Sequence, residues 1–142
     1  MPREPQLQLT ERSARIVHKL MVIAVVMMVL VIAALRPAFG FEPAGQLTTV
    51  FRVAAAVVLL LSVFAMRIVR GGMAPVGRSD DRDAWWRANF PRAIVVWALA
   101  EGSALAGAVF WVVTGDFAIL AGVTGVSLAL MVWNRPGVLM GV

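Results

Sequence analysis

From Leu20 to Leu35 the chain runs through sixteen consecutive residues without one polar side chain. That run is too long for a core helix in a protein of this size and close to the ~20 residues that cross a bilayer as a helix. Three further stretches resemble it. Apolar residues dominate residues 47–66, 93–113 and 117–133, broken chiefly by Arg52, Ser62 and Glu101. Across the chain 61% of residues are hydrophobic and 15% charged, where a soluble domain has about 45–50% and 25%. A small soluble fold has too little interior to hide that much apolar surface.

Within lipid a backbone satisfies its polar groups only as helices or as a closed barrel. A barrel needs strands of alternating polarity, and runs such as MVIAVVMMVLVIAAL and AAAVVLLL do not alternate. The sequence therefore predicts an all-α integral membrane protein, a single domain of four transmembrane helices at residues 16–35, 47–66, 93–113 and 117–133, arranged as two antiparallel hairpins. Arg36-Pro37 follows the first span without a small-residue cleavage pattern, so that span is expected to stay uncleaved.

Orientation follows from the basic residues. Arg3, Arg12, Arg15 and Lys19 precede or open the first span. Arg67, Arg70, Arg78, Arg82, Arg87 and Arg92 lie between the second and third, and Arg135 follows the fourth. Only Arg36 and Arg52 belong to the other side. Positive residues stay in the cytoplasm, which puts both termini there. Twelve arginines beside one lysine fit a GC-rich bacterial genome, and hence a multi-pass protein of the bacterial inner membrane.

The connections differ in character. Residues 36–46, RPAFGFEPAGQ, read as a tight loop. Thr114-Gly115-Asp116 is short enough to make the last two helices antiparallel neighbours. Residues 71–77 read as a flexible linker. Ser79-Asp80-Asp81 then reads as a helix start, with Ser79 able to cap. An interfacial helix is expected over residues 79–90, with Trp85, Trp86 and Phe90 as rings in the headgroup layer and Pro91 opening the third span. A basic cluster beside a span also suits anionic lipids.

Glu101 is the residue that asks for chemistry. It lies about 15 Å into the third span, where an ionised side chain costs at least ~2.5–3.5 kcal/mol. Small residues surround it. Ala98, Gly102 and Ala106 recur at intervals of four, as do Ser103 and Gly107, and the fourth span offers Gly122 and Gly125. Such spacing lets helix backbones approach closely. Folding the hairpin about Gly115 brings Ser127 within a turn of Glu101, so Ser127, with Thr124 as the alternate, is expected to hydrogen-bond the carboxyl. Arg52 is expected to lean outward, away from Glu101, because helical side chains tilt toward the helix N-terminus.

The segment ALAEGSALAG, residues 98–107, resembles the carboxylate-bearing helix of the rotary ATPase c and K proteolipids. That resemblance implies a proton- or sodium-carrying role for Glu101. A looser likeness joins the same segment to the acidic first helix of small multidrug-resistance transporters.

Other chemistry is thinly represented. The chain has no cysteine and one histidine, His18, which excludes thiolate metal sites, disulfides and multi-histidine metal or haem sites within one chain. Met21, Met27 and Met28 read as packing residues rather than soft metal ligands. No cofactor, metal or nucleic-acid partner is expected. Two functional readings remain. One is a non-enzymatic structural or accessory subunit of a membrane assembly, homo-oligomeric or part of a larger complex. The other is a proton- or cation-translocating component centred on Glu101.

Overall fold

The computed structural model describes residues 10–40, 45–77 and 81–141. Among them there is no strand. Helix α1 spans Glu11–Leu35, α2 Thr48–Gly71, α3 Arg82–Thr114, α4 Phe117–Trp133 and α5 Pro136–Met140, with 3-10 turns at Arg36–Phe39 and Gly45–Leu47. Helices α1, α2 and α3 are each long and apolar enough to cross a membrane, and α4 is a shorter apolar helix of 17 residues. This is an all-helical membrane protein.

The helix starts are chemically encoded. Thr10, Asp81 and Asp116 each sit at an N-cap, where the side chain accepts from a backbone N–H of the first turn that would otherwise lack a partner. The α3–α4 turn depends on Gly115, whose φ of 71° is left-handed and suits glycine. Thr114 completes the turn by donating to the Phe110 carbonyl at 2.8 Å and accepting from the Asp116 N–H at 3.2 Å. The expected antiparallel pairing of these two helices is present.

The other expected hairpin is not. Helices α1 and α2 scarcely touch, and each packs instead on α3, which lies at the centre against α1, α2 and α4. The reason is shape. Large aliphatics surround α1 and α2 and leave only narrow buried seams, at Ala14, His18 and Val25 and at Ala55, Ser62 and Met66. Helix α3 carries Ala93, Ala100, Ser103, Ala104, Gly107 and Ala108 on its buried side, and these leave room for neighbours.

The boundaries also differ from expectation. No separate interfacial helix exists over the described part of residues 79–90, because α3 runs unbroken for 33 residues, about 50 Å. Pro91 lies inside it with its ring exposed rather than at a first turn. Trp86 is wholly buried, Trp85 nearly so and Phe90 half-buried. They pack inward instead of standing in the headgroup layer, since their rings stack into one cluster, Trp85 on Trp86 at 5.0 Å and Trp86 on Phe90 and Trp97 at 6.4 Å. Ser79 and Asp80 lie outside the described residues; Asp81 is the cap.

The stretch expected to be a flexible linker is pinned. Met73 is buried, Trp85 Nε1 donates to the Ala74 carbonyl at 2.7 Å, and Arg92 donates to the Gly72 carbonyl at 2.7 Å. The Val76 N–H donates to the Met140 carbonyl at 3.0 Å, which joins this stretch to α5.

The tightest helix contact is α3 on α4. A Cβ placed on Gly107 would fall 2.6 Å from Val123 Cβ, whereas Gly102, Gly122 and Gly125 have nothing within 4 Å. Gly107→Ala should therefore force the two helices apart and lower the unfolding temperature in mild detergent, an overpacking cost of about 1–3 kcal/mol. Gly102→Ala, in open space, should leave that temperature unchanged or slightly raised.

Candidate functional site

Glu101 occupies the middle of the apolar part of α3 and is partly exposed. Among the described residues it makes no hydrogen bond and no ion pair. The expected bond from Ser127 or Thr124 is absent. Both hydroxyls are buried and unpartnered among the described residues. Helix geometry explains this. Ser127 shares its face of α4 with Val123 and Met131, all buried, and that face meets the row of α3 that includes Gly107. Glu101 comes one residue after Ala100, and one residue turns a helix by about 100°. It therefore sits at the rim of the buried face of α3, outside the row that meets α4 at Gly107.

The small residues divide between the two sides. Ser103 and Gly107 face inward, and Ser103 shares a 2.7 Å hydrogen bond with Ser62 of α2. Ala98 and Gly102 are exposed and Ala106 is half-buried, so the expectation that this row packs on α4 does not hold. Gly122 and Gly125 are likewise exposed, as are Ala118, Ala121 and Ala129. The middle of the outer face of α4 thus carries five small side chains, with Val126 43% exposed beside them and Phe117, Val132 and Trp133 exposed toward the helix ends. Helix α2 presents the opposite surface, with Leu60, Leu61 and Phe64 each more than 60% exposed.

No family model, curated protein or solved structure matches this chain.

Polar contacts at the two ends hold the site in register. At the end where α1 and α3 begin, Trp97 Nε1 donates to the Asn134 carbonyl at 2.8 Å. Asn134 donates to the Leu130 carbonyl at 2.8 Å and accepts from Arg70 at 3.3 Å. His18 Nε2 lies 3.0 Å from the Met131 carbonyl, with its ring edge-on to Trp97 at 5.0 Å. A carbonyl only accepts, so Nε2 carries the hydrogen. Four helices meet through these groups. Periodicity alone could not reveal the network, because all but one of these acceptors are backbone carbonyls.

At the opposite end Arg52 does lean outward, and it finds a partner the sequence did not suggest: its Nε donates to Asp116 Oδ2 at 2.6 Å. Arg36 sits over the Trp111 ring at 5.1 Å, a cation–π contact. The Asp116 carboxyl is held below the usual carboxylate range, first by the hydrogen bond from Arg52 and then by the Ala118 N–H and the guanidinium charge, against the cost of desolvation.

The sign of the resulting pH dependence is fixed. A carboxyl that titrates lower when folded stabilises the fold above its unfolded pKa, and that contribution fades as pH falls through the folded value. The unfolding temperature of the native chain should therefore fall more steeply on acidification than that of Asp116→Asn. Added salt should narrow the difference between them at neutral pH, because the pair is exposed enough to be screened.

Proposed function

We propose that this protein is a small, non-enzymatic membrane protein that serves as a structural or accessory subunit of a membrane assembly. On this reading α4 crosses with the other three long helices, giving four spans with both termini in the cytoplasm. Seventeen residues rise about 25 Å, and the exposed Trp133 and the polar Asn134 extend α4 toward the interface. The arginine bias fits the inner membrane of a bacterium.

The observation that carries the reading is the outer face of α4. Ala118, Ala121, Gly122, Gly125 and Ala129 lie outward at helical spacing, with open space over Gly122 and Gly125. Lipid contact alone does not call for small side chains, and α2 of the same molecule meets its surroundings with leucine and phenylalanine. Small residues in spans gain their value when a second helix backbone comes close. Helix α4 is therefore the docking face, for another copy of this chain or for another subunit.

The rival reading, a proton- or cation-translocating component, draws on Glu101. An acid in the apolar middle of a span is costly, and acids kept at such positions mark ion pathways and proton relays; Glu101 is partly exposed there, without a partner among the described residues. The likeness of residues 98–107 to the ATPase proteolipids supports the same idea. A docked helix would equally give Glu101 a hydrogen-bond partner, so the carboxyl belongs to both readings, whereas the α4 face belongs to the first alone.

Two measurements separate them. Gly122→Leu with Gly125→Leu should dissociate the assembly in native mass spectrometry without lowering the monomer's unfolding temperature, since a Cβ at either position meets open space. An assembly that survives both substitutions contradicts the docking face. In liposomes carrying a pH-sensitive dye, the purified protein should produce no flux; flux abolished by Glu101→Gln would establish the rival.

A further inference from the structure

A cavity of about 830 Å³ opens at the arginine-rich end of the bundle, between α1 and the α4–α5 junction. Its charged part is formed by Arg15, Lys19, Arg82 and Arg135, with His18 beside them. Its apolar part is formed by Val22, Ile23 and Val132. No acid lines it. Glu11 pairs with Arg15 and, at 3.6 Å, with Arg82, and Asp83 accepts from the Glu11 N–H. The side chains of Lys19 and Arg135 have no hydrogen bond or ion pair among the described residues. Positive charge is thus in excess, and two of its carriers are uncommitted.

We infer that this cavity binds the headgroup of an anionic phospholipid, with the phosphate among Arg15, Lys19 and Arg135 and the start of an acyl chain along Val22, Ile23 and Val132. The order of chemistry along α1 supports a lipid. Arg15, Lys19 and Ile23 follow one another at intervals of four and so share a helix face. From Arg15 to Ile23 is about 12 Å, over which the wall changes from cationic to aliphatic, as a phospholipid changes from phosphate to hydrocarbon. Ile23 and Val132 are also more than half exposed, so the apolar part opens toward the surrounding acyl chains. A free anion would need only the charged part. Basic pockets between spans are a known means of holding such headgroups, and the volume lies within the range of small-molecule sites. His18 adds no acceptor toward the phosphate from Nε2, which already donates to the Met131 carbonyl.

The inference requires membrane insertion but is independent of the docking role of α4. Delipidated protein in mild detergent, titrated with phosphatidylglycerol or phosphatidylcholine and followed by native mass spectrometry, tests it. The protein should retain phosphatidylglycerol selectively. Each cation beside an anionic headgroup contributes about fivefold in affinity, so Lys19→Gln with Arg135→Gln should weaken that lipid about 25-fold and leave phosphatidylcholine unchanged. Neither side chain has a partner to lose, so lipid-free unfolding temperatures should match. Ile23→Ser should weaken phosphatidylglycerol while its preference over phosphatidylcholine persists. Equal retention of the two lipids, or unchanged selectivity in the double variant, overturns the proposal. Displacement of the lipid by glycerol phosphate at equal concentration would assign the cavity to a soluble anion instead. Loss of assembly through α4 with lipid selectivity intact leaves this inference standing.

Discussion

The close approach of α3 and α4 at Gly107 and Val123 fixes the rest of the molecule. It sets how α4 is rotated, and rotation decides which rows of each helix turn inward. With Val123, Ser127 and Met131 committed to the seam, the alanine and glycine row of α4 faces out. With Ala100, Ala104 and Gly107 committed on α3, Glu101 falls at the rim. One contact between a missing side chain and a branched one thus determines both features on which the functional readings rest.

The seam is locked from its ends. A hydrogen bond in a low-dielectric interior is stronger than one in water, and an unmade one there costs more. Trp97, Asn134, His18 and Arg70 join four helices at one end, and Arg52 reaches Asp116 beside the α3–α4 turn at the other. Between these ends, among the described residues, the Ser62–Ser103 pair is the one polar side-chain contact from helix to helix. Helices α1 and α2 have little contact with each other. They are held by α3, which explains why the least apolar of the three long helices is the most buried.

Much of this was legible in the residues. Long apolar runs gave the helices, and Thr114-Gly115-Asp116 gave the tight turn. Glu101 stood out because an acid in a span is expensive. What the sequence could not give was rotation about the helix axis. Rows Ala98–Gly102–Ala106 and Ser103–Gly107 look equivalent as spacing, yet one faces out and the other in. The difference lies in Trp86 and Trp97, whose rings must be buried and carry one face of α3 with them. Trp85 and Trp86 misled for a related reason. Flanked by arginines and aspartates they resemble interfacial anchors, but the residues 73–77 and α5 fold over them. The basic cavity left a faint trace, the four-residue spacing of Arg15, Lys19 and Ile23, which orientation by positive charge had already absorbed.

The central claim is that another helix covers the outer face of α4 in the native membrane. Because the chain contains no cysteine, a single introduced thiol reports on its own surroundings. Ala121→Cys and Gly125→Cys on α4, and Leu60→Cys and Phe64→Cys on α2, can be labelled with a membrane-permeant maleimide, first in native membranes and then in a dissociating detergent. Hydrocarbon should slow labelling at all four positions in membranes; the account predicts that the α4 thiols are slowed well beyond the α2 thiols there and that the difference closes in detergent. Equal labelling of the α4 and α2 positions in native membranes would contradict it.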